Sequence, residues 1–212
     1  MSEKKPRGYF EKVLAIDVET SGMAFAQDSD DPSYNPKTGD TYQIVSIGLV
    51  VANARTFKPI EELYLELKWD GESKWDRKAE AVHGLSVEYL EQNGMDREDA
   101  VAEIGNLIIN HWGPDVPLCL LGHNVATFDM WFFKRLMRSE GIELRFGNRY
   151  VDTNSIGLST FGTFNSDDLF AAIGCADRDP SKHNALDDAK MALAAARFVK
   201  QLWSDLVMPE LQ

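Results

Sequence analysis

The stretch Val13–Gly22 reads VLAIDVETSG. Val13, Leu14, Ala15 and Ile16 form an apolar run of the kind found in strands buried on both faces. The run ends on two acids one residue apart. Side chains alternate across a strand, so Asp17 and Glu19 project from the same face at what should be the end of a central strand. Two like charges held that close are costly unless a cation lies between them. A divalent metal is one such cation; a solvated strand end would also tolerate the pair, and these ten residues alone do not choose.

Downstream, residues 24–41 collect acids and turn formers, including Asp28, Asp30, Pro32, Pro36 and Gly39, and read as a long surface loop beside the acidic pair, either a lid or a passive insertion. Gln43–Val51 and Ile60–Leu67 read as strands, which with the first predict an antiparallel meander. Lys78–Leu90 reads as two helical pieces broken by a turn at Gly84 and Ser86. Asp96–His111 has apolar residues at three- and four-residue spacings, the mark of an amphipathic helix. Val116–Gly122, VPLCLLG, is a further buried strand. The helical crossover before it predicts that it lies parallel to the first.

That strand runs into GHNVATFD, and Asp129 opens another helix over Met130–Glu140. Lys134, Arg135 and Arg138 on this helix either touch a phosphate backbone or form a solvated face. Tyr150–Thr153, YVDT, begins another segment, and Asp167–Ile173 reads as a short helix. The last helix starts at an Asn184 cap and runs through alanine-rich sequence to about Leu206. In one continuous helix His183 and Asp188 would diverge by about 140°. With His183 in the loop before the helix, both face one site.

The composition narrows the function classes. With 212 residues and 44% hydrophobic content, the chain predicts one globular domain with a full core. Thirty-four acids against 22 Lys and Arg give a formal charge of -12, which argues against a broad electropositive clamp on duplex nucleic acid. Cys119 and Cys175 have no metal-like spacing and read as core residues of a reducing compartment. The charged start, MSEKKPRGYF, leads into no signal-peptide run, and no segment reads as a membrane span, so a cytoplasmic location is expected.

Five segments of the chain resemble those of the DEDDh 3′-to-5′ exonucleases of the ribonuclease H-like fold, typified by polymerase proofreading subunits. DVET carries Asp17 and Glu19, HNVATFD carries Asp129, and HNALDDA carries His183 and Asp188. AVHGLSVEYL resembles the His-Gly-Ile/Leu segment of proofreading enzymes, and YVDT their Val-Asp-Thr segment, in which the acid at Asp152 is structural. The resemblance spans roughly Val13–Val199. The 24–41 loop is longer than the tight turn common in the family, and HNVATFD is one residue longer than its shortest form.

The resemblance implies an α/β fold with a mixed central sheet flanked by helices, and a single exonuclease domain over 1–212. It also implies two divalent cations, Mg²⁺ or Mn²⁺, held by oxygen ligands. Asp17 would bridge both ions, Glu19 and Asp188 would hold the one near the nucleophilic water, and Asp129 would work with Asp17 on the leaving-group side. His183 would be the general base. Thr20, Ser21, Gly22 and Met23 would seat the terminal nucleotide, His83 would contact it or cap a turn, and Asn124 would orient the loop carrying Asp129. His111 and His123 are expected to be structural or rim residues. The implied substrates are single-stranded 3′ ends, DNA ahead of RNA, with no membrane partner, and any proofreading role would call for a separate polymerase. An RNA-trimming enzyme and an inert nucleic-acid-binding relative are the alternatives.

Overall fold

The computed structural model describes residues 10–23, 34–35, 40–175 and 183–207. In chain order its strands are β1 (Lys12–Thr20), β2 (Tyr34–Asn35), β3 (Asp40–Thr41), β4 (Ile44–Asn53), β5 (Pro59–Glu66), β6 (Leu120–Gly122) and β7 (Val151–Asp152). The helices are α1 (Arg77–His83), α2 (Val87–Asn93), α3 (Arg97–Trp112), α4 (Asp129–Ser139), α5 (Thr153–Phe161), α6 (Ser166–Ala172) and α7 (Ala185–Val207). Five strands form one sheet in the order β5-β4-β1-β6-β7, and β2 and β3 form a separate two-stranded ladder.

Strand β1 is central because both its edges are paired. It runs antiparallel to β4, from Lys12↔Asn53 to Glu19↔Ser46, and parallel to β6 at Leu14↔Leu120 and Ala15↔Leu121. The alternation of β1 divides the core. Leu14, Ile16 and Val18 face one side with α3 and α4, in a cluster that includes Ile104, Phe132 and Phe133. Val13 and Ala15 face the other side against Ala189, Ala192 and Ala196 of α7. Each large aliphatic side chain fully buried here contributes about 1.5–3 kcal/mol.

The small side chains of α7 let it lie close on the sheet. The closest approach is at Gly48 of β4, where a Cβ would overlap the backbone of Ala185 and Leu186. Gly48 is also the register partner of Asp17. The start of α7 is therefore pressed onto the sheet beside the first acid of β1.

The expected strands and helices all form, with shifts at their ends. The strand expected over 116–122 is regular only at Leu120–Gly122; before it, Leu118 makes an isolated bridge to Phe146. Pro117 lacks the N–H that a longer ladder would need. Asp96 stands at the N-cap of α3 without a side-chain cap bond, whereas Asn184 accepts from Leu186 N–H at 3.0 Å and Asp187 N–H at 3.2 Å. Most of the expected 24–41 loop lies outside the described residues; its described part is the β2–β3 ladder. Among the described residues no helix is long and apolar enough to cross a membrane.

Candidate active site

Asp17 and Glu19 continue the face of β1 that carries Val13 and Ala15, so they point to the α7 side. Asp188 lies in the first turn of α7, which Gly48 admits against β4, and its carboxylate is buried at the same place. His183 precedes the helix in the loop, as the spacing requires. Its backbone N–H donates to the Val82 carbonyl of α1 at 3.1 Å, and Nδ1 lies 3.4 Å from Asp188 Oδ2. Ligand atoms of Glu19, His183 and Asp188 all fall within 4.8 Å of one another.

Asp129 arrives from the opposite layer. β6 ends at Gly122, and Asn124 follows in the left-handed region with φ 58°. The Asn124 carbonyl accepts from Thr127 N–H and Phe128 N–H, closing the turn that leads into α4. Asp129 Oδ1 then accepts from the Val18 N–H at 3.1 Å. β6 pairs with β1 only as far as Ala15, so this N–H lies on an open stretch of strand edge. A carboxylate takes the place of the missing ladder acceptor.

Asp17, Glu19, Asp129, His183 and Asp188 thus line one cleft of about 160 Å³. Burial pushes the Asp129 carboxyl up to about 8, and the negative charges of Glu19 and Asp152 push the same way against the hydrogen bond from Val18. Four carboxylates and an imidazole in so small a space fit one or more hard cations, which would satisfy oxygen donors and offset their mutual repulsion. Asp152 itself caps α5, accepting from Asn124 N–H at 3.1 Å and Asn154 N–H at 2.9 Å, which makes it a structural acid.

Residues 20–23, expected from the resemblance to seat a terminal nucleotide, are for the most part committed within the protein. Thr20 Oγ1 donates to the Gly22 carbonyl at 2.9 Å, and Gly22 lies under the Tyr42 ring where a Cβ would overlap it. Ser21 is fully buried and committed to the protein. Its N–H donates to Gln43 O, its carbonyl accepts from Asp76 N–H, and its hydroxyl donates to Lys74 O at 2.8 Å. The expected contact from Ser21 to a nucleotide does not fit these bonds; Ser21 fastens residues 20–23 to the segments behind them. Met23 alone of the four is exposed.

His83 is buried as well. Its Nδ1 accepts from Leu85 N–H at 3.0 Å, the turn-capping arrangement, and its ring stands beside the Thr20 backbone. Burial lowers its pKa to about 4, against weaker raising influences from Glu80 and the Thr20 backbone, so the ring is neutral at pH 7. His123 bonds Thr153 Oγ1 at 3.2 Å and the Phe164 carbonyl at 3.0 Å and lines the cleft, while His111 lies far away, beside Lys12 and Glu61. The three cations of α4 are engaged within the protein: Lys134 over the Trp131 ring, Arg135 with the Tyr42 carbonyl, and Arg138 with Glu143.

Sequence reasoning missed two site-building features. Gly48 reads as an ordinary strand glycine until its neighbour across the layer is known. The lead-in to α1, Ser73–Asp76, is bound to both Ser21 and Thr41. Its one sequence signal was the clustering of three basic residues around Trp75 in SKWDRK, residues 73–78.

No protein-family model and no curated protein matches this chain. Among solved structures it is similar to Escherichia coli exonuclease I in a zinc-bound complex with single-stranded DNA, with TM-score 0.69 and 18% identity over 95% of this chain and 42% of that one. It is similar to E. coli exonuclease I with a dT13 oligonucleotide, with TM-score 0.71 and 17% identity over 93% of this chain and 42% of that one. Exonuclease I from Methylocaldum szegediense gives TM-score 0.67 and 18% identity over 94% of this chain and 41% of that one. The mixed sheet and its helices are the ribonuclease H-like exonuclease fold of these neighbours. This chain spans about two-fifths of their length, 41–42% in these three.

Proposed function

We propose that this protein is a metal-dependent 3′-to-5′ exonuclease that removes nucleoside 5′-monophosphates from single-stranded DNA ends, with residues 1–212 acting as one exonuclease domain. The observation that carries this reading is the convergence of Asp17, Glu19, Asp129, Asp188 and His183 on one cleft from three separate segments of the chain. Single-stranded DNA is favoured over RNA because the structural neighbours include complexes with single-stranded DNA.

Asp17, at the end of β1 in the same cleft, would share two cations. Glu19 and Asp188 would hold one and Asp129 the other. Mg²⁺ or Mn²⁺ bound there supplies Lewis acidity and charge neutralisation at the scissile phosphate. His183 stands at the cleft wall, half-buried, with Nδ1 towards Asp188. With a proton on Nδ1 towards Asp188, the lone pair on Nε2 would take the proton of the attacking water. Water oxygen bonds to phosphorus, the bond to the 3′-oxygen of the shortened strand breaks, and that oxygen is protonated from solvent. Thr20, Gly22 and Met23 bound the terminal nucleotide, Asn124 sets the turn before Asp129, and Ser21 and His83 support the seat from beneath.

The test is incubation with 5′-labelled single-stranded DNA, duplex DNA and RNA of matched sequence under Mg²⁺ and under Mn²⁺. A ladder of products shortened from the 3′ end is expected, fastest on single-stranded DNA. A ladder undiminished in Asp17→Ala overturns the reading, and a ladder confined to RNA replaces the substrate while keeping the chemistry.

A further inference from the structure

Helix α1 forms a rim between the nucleotide seat and the catalytic histidine. At its start, Asp76 N–H donates to Ser21 O at 2.7 Å, Ser21 Oγ donates to Lys74 O at 2.8 Å, and Lys74 N–H donates to Thr41 O at 2.8 Å. At its end, the Val82 carbonyl accepts from His183 N–H at 3.1 Å. A helix this short spans roughly 10 Å, so its first turn stands about that far from the histidine backbone.

That first turn and its lead-in are basic. Lys74, Arg77 and Lys78 are exposed, and the Arg77 side chain is 83% so, its contact to Glu80 lying at 3.3 Å. Lys78 makes no side-chain ion pair or hydrogen bond among the described residues. Cations in the first turn stand against the helix dipole, so the stability of α1 does not account for them. The mount beneath them is rigid. Trp69 and Trp75 meet edge to face at 6.3 Å, Trp69 Nε1 donates to Ser73 O at 2.9 Å, and Trp75 Nε1 donates to Glu80 at 2.6 Å.

A chain of net charge -12 repels a polyanion over most of its surface, so positive charge beside the cleft has a disproportionate effect on where a strand lies. In an exonuclease the 3′ end fills the seat, and every further phosphate lies upstream of it. We propose that Lys74, Arg77 and Lys78 on the α1 rim bind the sugar-phosphate backbone of single-stranded DNA immediately upstream of the scissile linkage. The inference rests on the exonuclease reading above.

The test measures binding of 5′-fluorescein-labelled dT15 and dT2 by anisotropy with Ca²⁺ replacing Mg²⁺, across a salt series. Wild type is compared with Arg77→Ala/Lys78→Ala, Arg77→Glu/Lys78→Glu, and Arg55→Ala/Lys58→Ala, whose substitutions lie at the opposite end of the sheet. The Ala rim variant should bind dT15 about tenfold more weakly near 0.1 M salt and lose about 1.4 from the slope of log K against log salt, about 0.7 for each phosphate contact. The Glu variant should bind more weakly still while melting no lower than wild type, since acids suit the first turn of a helix. The Arg55/Lys58 variant should match wild type.

Equal affinity and slope in the rim and remote variants overturn the inference. Hydrolysis of thymidine 5′-monophosphate p-nitrophenyl ester separates the two levels. If wild type cleaves that ester but binds dT15 no better than dT2, only the rim inference falls. If it cleaves neither the ester nor oligonucleotides, the exonuclease reading falls and takes the inference with it.

Discussion

At the start of β1, Lys12 Nζ donates to the His111 carbonyl at 2.8 Å and sits 3.2 Å from His111 Nδ1, while His111 Nε2 meets Glu61 at 2.7 Å. At the other end of the same strand, Asp17 and Glu19 meet two more carboxylates and one imidazole. The first cluster brings a cation and an anion to either side of one ring, and its charges close on themselves. The second gathers charge of one sign, partly buried, where each acid raises the cost of ionising the next. Folding stability is served by the first arrangement and opposed by the second. The second arrangement suits a bound cation, and the contrast along nine residues of strand marks that end as the candidate site.

The sharpest break of this contrast is removal of an acid from the one-sign end. Asp17→Ala should lower the Mg²⁺-dependent rate on labelled single-stranded DNA by roughly 10³ or more, a loss of several kcal/mol of transition-state stabilisation. His183→Gln should cost about 10²–10³ in kcat, within the range of a lost general base. Calorimetric titration with Mn²⁺ then separates base from ligand. Affinity close to wild type in His183→Gln supports the base, and affinity lost in step with the rate makes His183 a ligand instead.

The same contrast predicts an unusual pH dependence. Unfolded, the Asp129 carboxyl ionises near its ordinary value of 3.8; folded without metal, burial holds it up to about 8. Between those values the folded state carries more protons than the unfolded one, so stability is fullest below the lower value and falls as pH rises through the upper. The extra proton belongs to the acid cluster as a whole rather than to one oxygen. Melting in EDTA should therefore show a midpoint that declines from pH 5 to pH 8. Asp129→Asn keeps an oxygen for the Val18 N–H and should flatten the decline while abolishing activity. Saturating Mn²⁺ should reverse the trend, because the cation binds the ionised cluster. A metal-free midpoint that rises over this range would remove the electrostatic account of the site.

Much of the functional end was legible because its signals are local. Alternation put Asp17 and Glu19 on one face, and the Asn184 cap fixed where α7 begins and left His183 in the loop before it. What was not legible depends on contacts between layers. Nothing in QIVSIGLVV states that a helix backbone will rest on Gly48. The commitment of Ser21 to Gln43, Lys74 and Asp76 requires knowing that two distant segments meet behind residues 20–23. Asp129 reads as a helix-opening acid, and its burial follows only from the edge of β1 left open beyond Ala15. The closed cluster at the other end was equally hidden, since Lys12, Glu61 and His111 lie on three elements.

That closed end supplies the smallest effect. Glu61→Gln removes the anion from the Lys12–His111–Glu61 set but leaves an acceptor of similar shape for His111 Nε2. The Glu61 side chain is 53% exposed, so solvent screens much of the ionic part of the contact. The expected cost is about 0.5–1 kcal/mol, or about 2 °C in the melting midpoint for a chain of this size. Activity on single-stranded DNA and Mn²⁺ affinity should be unchanged, because β1 stays paired with β4 all the way from this end to Asp17 and with β6 at Leu14 and Ala15. If Glu61→Gln instead weakened Mn²⁺ binding, the two ends of β1 would be coupled through the strand, and the division between a structural and a chemical end would have to be abandoned.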